Sequence, residues 1–247
     1  MEKIGTFDFV TESYLLDFRG RLPLPMIGNY LLHCAGEHAR QKGFGFNDMS
    51  ERSCAWVLSR IAIEMTQYPT MSEPITIRTW VEDVGHLFTN RCFALLDKEG
   101  NNIGYARSIW AAIDLETRKP SDLTGIGKLE EYVTNQPCPI DKPGKILPAE
   151  TGTEGEPYLV RYSDLDVNRH FNSIKYIEHI LNLFDIDTFR EKEISRFEIS
   201  YVAEGRYGMQ LSLHKKETAP DRYITSICDT EGKAICRAAI TWKQNSY

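Results

Sequence analysis

The chain has 247 residues, 42% of them hydrophobic and 26% charged, with a formal net charge of −6. That length holds one large or two small domains with real cores, and the acidic balance argues against a nucleic-acid binder, which presents a basic footprint. No apolar run approaches the roughly 20 residues of a membrane span, and the start, MEKIGTFDFVTESY, lacks the layout of a secretory signal, so a cytoplasmic protein is expected.

Taken in order, TFDFVTESY (residues 6–14) alternates as a strand does, and LPLPMIGNYLLHCAGEHARQKGFG predicts a helix, with Pro near its start and Gly at its end. CAWVLSRIAIEMT, PITIRTWVEDV and FTNRCFALLDKEGNNIGYARSIWAAID predict strands, the last folded back at Lys98-Glu99-Gly100-Asn101. Residues 120–157 are rich in Pro and Gly and predict an interdomain linker with at most a short helix. Beyond it come a strand (YLVRY), the segment DLDVNRH, a helix to about Phe184, and strands in EISRFEISYVAE, MQLSLHKKE and RYITSICDT–EGKAICRAAITWK.

The two halves end alike. DKEGNNIGYARSIW (97–110) lies over DTEGKAICRAAITW (229–242) at a constant offset, with Asp, Glu, Gly, Ile, Ala and Trp coincident. An α+β unit of strand, long helix and antiparallel sheet, the helix covering one sheet face, is therefore expected twice. Its boundaries are expected at 1–119 and 158–247, joined by the 120–157 linker. Each half resembles a hot-dog domain, and the pair a tandem, double hot dog. Trp80, Trp110 and Trp242 read as packing residues.

The densest polar chemistry is DLDVNRHFNS (164–173), just ahead of IKYIEHILNLF. Helix capping accounts for one or two such residues. Asp166, Asn168 and His170 at alternate positions would share one face of an extended strand, so a site competes with capping here. The six cysteines (Cys34, Cys54, Cys92, Cys138, Cys228, Cys236) are scattered without a CxxC pair, which predicts free thiols and neither metal nor cofactor.

Several strings together resemble the acyl-acyl carrier protein thioesterases of plants and bacteria: WVLSRIAIEMTQYPTMSEPITIRTWV, SIWAAIDLETRKP, SDLDVNRHFNSIKYIEHIL and YVAEG, spread over roughly residues 8 to 242. The resemblance implies hydrolysis of the thioester of acyl-acyl carrier protein, releasing free fatty acid and carrier and ending chain elongation. It also implies a catalytic set at Asp166, Asn168, His170 and Glu204. Plant members often carry a cysteine beside the glutamate; here the residue is Gly205, so a thiol nucleophile is excluded at that point.

In that chemistry His170 or Glu204 activates water, Asn168 faces the oxyanion or positions the water, and Asp166 either holds its neighbours or attacks directly. The backbone N–H groups opening the 172–183 helix would add a positive dipole end. The equivalent N-terminal stretch, DFRGRLPLP, lacks His and Asn and is expected to be silent, leaving Met26, Ile27, Tyr30, Leu31 and Cys34 to line an acyl pocket. His33, His38 and His86 sit in the half without the motif, and His179, nine residues along the helix from His170, reads as surface or core.

An acidic carrier docking on an acidic chain needs a local basic cluster, expected at Arg19 and Arg21 or at Arg190, Lys192 and Arg196. Neither nucleic acid nor a membrane is expected as partner, and monomer and homodimer both remain open. The alternatives are an acyl-CoA hydrolase of the hot-dog class, a non-catalytic acyl-binding sensor and, more weakly, a dehydratase.

Overall fold

The computed structural model describes residues 2–149 and 155–245, which divide into two compact units at Pro143/Gly144. The first contains β1 (Ile4–Val10), α1 (Leu24–Gln41), α2 (Phe46–Ser50), β2 (Cys54–Met65), β3 (Pro74–Val84), β4 (Thr89–Leu96), β5 (Asn102–Asp114) and the two-residue β6 (Pro120–Ser121). Its antiparallel sheet runs β1-β3-β4-β5-β2, with β6 on β5. Along α1, Ile27, Leu31, Cys34, Ala35 and His38 are buried. They fall at helical spacing, so one stripe of the helix is turned inward, and the helix packs on β1 and β3.

The second unit contains β7 (Glu156–Leu159), α3 (Ser173–Leu181), α4 (Ile186–Glu191), β8 (Lys192–Tyr201), β9 (Gln210–Ala219), β10 (Arg222–Cys228) and β11 (Ala234–Gln244). Its antiparallel order, β8-β11-β10-β9-β7, repeats β2-β5-β4-β3-β1 strand for strand. The repeat extends to the hairpin tips. Asp97 Oδ1 accepts from the backbone N–H of Glu99 and Asn101, and Asp229 Oδ1 accepts from those of Glu231 and Lys233. Gly100 (φ 85°) and Gly232 (φ 78°) supply the left-handed residue each tip requires. Trp80 and Trp242 are buried packing residues, the latter against Phe184 and Phe189.

Two expectations need amendment. The second helix is not long: α3 spans 9 residues against 18 in α1, because Asp185 caps a new helix by accepting from Thr188 N–H. Nor are residues 120–143 a free linker. Leu123, Ile126, Leu129 and Tyr132 are buried in a cluster with Phe44, Met49, Val81 and Ala112, and a 3₁₀ turn spans Leu129–Tyr132. Trp80 Nε1 donates to Gln136 O at 3.0 Å and Arg107 Nη1 to Ile140 O at 2.8 Å. The stretch is a strap on the first unit. Residues 150–154 of the expected linker lie outside the described residues, and β7 already occupies 156–159.

The first unit also buries a cation. Arg91, on β4, donates to His38 Nδ1 at 2.9 Å and to Thr79 Oγ1 at 3.2 Å. Since a guanidinium only donates, Nδ1 must be the acceptor, which places the imidazole proton on Nε2. Burial, then Arg91 and Lys42, hold the pKa of His38 down to about 3. Among the described residues no helix is long and apolar enough to cross a membrane.

Candidate active site

Asp164 to Asn172 do not run as an extended strand. After a 3₁₀ turn (Tyr162–Asp164) the chain closes on itself: Asp166 N–H donates to His170 O at 2.9 Å and Arg169 N–H to Asp166 O at 3.0 Å. Asp166 Oδ1 accepts from the backbone N–H of Asn168 at 2.8 Å and of His170 at 3.0 Å. This is turn chemistry of the Asx kind, a side chain standing in for a backbone acceptor. It corrects the alternate-face expectation for Asp166, Asn168 and His170, because Arg169 adopts φ 63° between the last two. Capping falls to Asn172 instead, whose side chain accepts from Ile174 N–H at 2.8 Å.

The turn presents His170 to the next strand's exit. His170 bridges Arg206, and Phe171 N–H donates to Gly205 O at 2.8 Å, which brings His170 Nε2 to 3.4 Å from Glu204 Oε2. Arg206 Nη2 lies 3.5 Å from the same carboxylate oxygen. Both members of the pair are partly exposed, as a group that must meet a substrate has to be. Asn168 is exposed, and its amide has no hydrogen-bond partner among the described residues. The four residues expected from sequence therefore lie on two segments bonded to each other.

Gly205 has no room for a side chain. A Cβ there would come within 2.8 Å of Phe171 Cβ and 2.9 Å of Tyr176 Oη, and Gly205 N–H itself donates to Tyr176 Oη at 3.0 Å. Phe171 and Tyr176 stack with ring centroids 4.1 Å apart. Aromatic packing fills the space a thiol would need.

Sequence reasoning missed the support under the turn. The buried Asp164 carboxylate accepts from Tyr158 Oη at 2.7 Å and from Arg161 N–H at 2.7 Å, and pairs with His179 Nε2 at 3.0 Å. Its carbonyl accepts from Asn172 N–H at 2.8 Å. Burial alone would raise the Asp164 pKa; the bonds from Arg161, Tyr158 and His179 outweigh it and hold the carboxyl below its ordinary value. His179, read as surface or core, fixes the turn to α3. The legible signal was the first letter of D-L-D.

Of the other expected residues, Ile27, Leu31 and Cys34 are fully buried, while Met26 and Tyr30 are partly exposed, Tyr30 stacked on Phe9 at 4.3 Å. Burial pushes the Cys34 thiol up to about 12, so it is no nucleophile. The basic candidates are paired locally: Arg19 with Asp17 at 2.6 Å, Arg190 with Asp187 at 2.6 Å, Lys192 with Asp221 at 2.5 Å and Arg196 with Glu198 at 2.7 Å. Arg21 N–H donates to Asp17 Oδ1 at 3.2 Å. No His/Cys/Asp/Glu group among the described residues could hold a metal ion. A cleft of about 830 Å³ on the β7–β9 edge is lined by Leu159, Arg161, Gln210, Ser212 and His214, and neither His170 nor Glu204 lines it.

Comparison with known proteins bears on the chain as a whole. The acyl-ACP thioesterase N-terminal domain matches residues 5–125 and the C-terminal domain matches residues 149–244. The solved acyl-ACP thioesterase of Bacteroides thetaiotaomicron is 44% identical over 98% of each chain, with a TM-score of 0.93. The 12:0-ACP thioesterase of Umbellularia californica, at 21% identity over 99% of each chain and a TM-score of 0.88, shares the fold. Among curated relatives, a chloroplastic acyl-[acyl-carrier-protein] hydrolase of Cuphea viscosissima is 30% identical over 71% of this chain, which spans 44% of that protein. A chloroplastic oleoyl-acyl carrier protein thioesterase of Coriandrum sativum is 26% identical over 92% of this chain, which spans 66% of it. Both domain matches fall on the two units in order, and the fold is the expected α+β tandem hot dog. The chain belongs to the acyl-ACP thioesterase family.

Proposed function

We propose that the protein hydrolyses the thioester of acyl-acyl carrier protein, releasing free fatty acid and carrier and so ending chain elongation. The observation that carries this reading is the His170–Glu204 pair, 3.4 Å apart, with His170 on a turn fixed by Asp166, in a chain of this family. His170 takes a proton from water, and Glu204 orients the imidazole and stabilises its charged form. The amide of Asn168 donates toward the carbonyl oxygen as it gains charge. Asp166 is a holder and not a nucleophile: one carboxylate oxygen already accepts two backbone N–H bonds, and attack would dismantle the turn that presents His170. The proton on His170 then passes to the leaving thiolate.

For the acyl chain we retain Met26, Ile27, Tyr30, Leu31 and Cys34. Met26 and Tyr30 have surface to offer, whereas Ile27, Leu31 and Cys34 could meet the chain only after the core opens locally. A hot-dog acyl-CoA hydrolase is the competing reading. The test is turnover of one acyl chain on carrier protein and on CoA, with single-turnover rates on each. Preference for CoA by tenfold or more in kcat/KM would replace the carrier by CoA, and no hydrolysis of either would remove the reading.

A further inference from the structure

Three short segments around His170 form one surface. Val160 N–H donates to Met209 O and Gly208 N–H to Val160 O, both at 3.0 Å, which ties residues 160–162 to 206–209. The His170–Arg206 bridge ties the Asp166 turn to the same strand exit. Each segment carries an arginine beside an exposed apolar or aromatic residue: Arg161 by Tyr162 (87% exposed), Arg169 by Val167 (91%), and Arg206 by Tyr207 (70%). Among the described residues Arg161 and Arg169 have no ion-pair partner, and Arg206 holds Glu204 only loosely, at 3.5 Å. The basic candidates named from sequence include four that are each spent on an acid of their own. Tyrosine and arginine are the residue types enriched at interface hot spots, and exposed apolar groups in a cluster mark such sites.

The other unit supplies a control. The bridges Arg21–Thr70 and His170–Arg206 align the two turns, and they put Glu12, Gly20 and Thr70 where Arg161, Arg169 and Arg206 stand. Cations at these three positions occur only on the copy that carries His170. Arg169, moreover, takes φ 63°, a conformation that glycine holds without strain in the other copy, where Gly20 has φ 71°.

Resting on the hydrolase reading, we infer that Arg161, Arg169 and Arg206, with Tyr162, Val167 and Tyr207, are the docking surface for the acidic face of the acyl carrier protein, encircling the point where its thioester must arrive. Charge complementarity selects the partner: arginines around the proposed reactive pair, Arg161 and Arg169 without an ion-pair partner among the described residues and Arg206 held only loosely, attract an acidic protein and speed its encounter.

Binding of an unacylated bacterial holo-acyl carrier protein tests this without any turnover. The double variant Arg161→Glu/Arg169→Glu should weaken it by roughly 10- to 100-fold, and rising salt should weaken the wild type in the same direction. Arg169→Gly, which suits the backbone there, should give a smaller loss of roughly 3- to 10-fold and guards against misfolding of the double variant. In turnover, kcat/KM for carrier-borne acyl chains should fall relative to that for the same chain on N-acetylcysteamine. Binding within twofold of wild type overturns the proposal, whatever the hydrolysis. So do equal losses on carrier and CoA thioesters, which would mean that the arginines read a phosphate, or a wild-type dimer that the double variant turns into monomer, which would mean that a second copy covers the face. Hydrolysis of neither thioester, with carrier binding intact, would fail the hydrolase reading and leave the dock.

Discussion

The two turns at Asp17 and Asp166 are one backbone written with different chemistry. Asp17 N–H donates to Arg21 O, and Gly20 N–H to Asp17 O; Asp166 and Arg169 do the same with His170 and Asp166. Asp17 Oδ1 accepts from Arg19 and Arg21 N–H at 2.9 and 3.2 Å, as Asp166 Oδ1 does from Asn168 and His170 N–H at 2.8 and 3.0 Å. Leu22 N–H reaches Pro69 O where Phe171 N–H reaches Gly205 O. In the first copy the amide and imidazole positions are arginines, Glu204 becomes Tyr68, and the buried Asp164 becomes Leu15. The carboxylate of each turn is thus a scaffold feature, and the groups hung on it separate the copy we propose to be reactive from the other.

The sharpest break between the copies should be His170→Ala, which removes the proposed base and is expected to lower kcat by roughly 10² to 10⁴-fold with folding intact. Steady-state hydrolysis beside far-ultraviolet circular dichroism checks it, and retention of a tenth of kcat would place the chemistry elsewhere. Next in size, Gly205→Cys should destabilise by about 1–3 kcal/mol through overpacking against Phe171 and Tyr176. A denaturation midpoint equal to wild type would show that the site can relax.

The pair Asp17→Ala and Asp166→Ala tests the shared scaffold. Each leaves two backbone N–H groups short of an acceptor and should cost about 1–2 kcal/mol in urea denaturation. Turnover at saturation should fall for Asp166→Ala, while Asp17→Ala should stay within about threefold of wild type once the folded fraction is accounted for. Equal kinetic losses would dissolve the distinction between the copies.

A smaller effect belongs to the cores. Arg91 and Ser108 are partners across β4 and β5, and Tyr223 and Ile240 are partners in the same places on β10 and β11. One sheet face therefore buries a cation where the other carries a half-buried aromatic ring, Tyr223 standing edge-on to Phe184. His38 must stay neutral to accept from Arg91. Its pKa is about 3 when folded against 6.5 ordinarily, so between those values the unfolded state binds the extra proton. The stability this neutrality confers is full above pH 6.5 and is lost as the pH falls toward 3, by up to about 1.4 kcal/mol per pH unit. His38→Gln should flatten that slope in urea denaturation across pH 4 to 7. Unchanged steepness would assign the acid sensitivity to other groups.

Much of this was legible in the letters. The repeat of Asp-x-Glu-Gly with Ile, Ala and Trp in register found both units, because hairpin tips need glycine at fixed places. D-x-N-x-H pointed to the segment proposed as the site. Its shape was not found, since alternate spacing suggests a strand while an aspartate that accepts from N–H groups two and four residues on makes a turn; Asp17-Phe-Arg-Gly-Arg, with its glycine, held the clue. The strap was hidden by Pro and Gly, although Leu123, Ile126, Leu129 and Tyr132 recur every three residues. Pairing of surface charges is a matter of rotamers and neighbours, and no spacing rule could have told that Arg190 is held by Asp187 while Arg161 has no such partner.

The aromatic contacts at Gly205 bear on how this protein could change. Placing a thiol there would require Phe171 and Tyr176 to shrink together, and a smaller residue at 176 would take away the acceptor of Gly205 N–H. A cysteine introduced alone clashes, and a smaller residue at 176 introduced alone leaves a buried N–H group unsatisfied. Packing thus opposes a thiol at this position, and a designer wanting one would do best to rebuild the start of α3 with it.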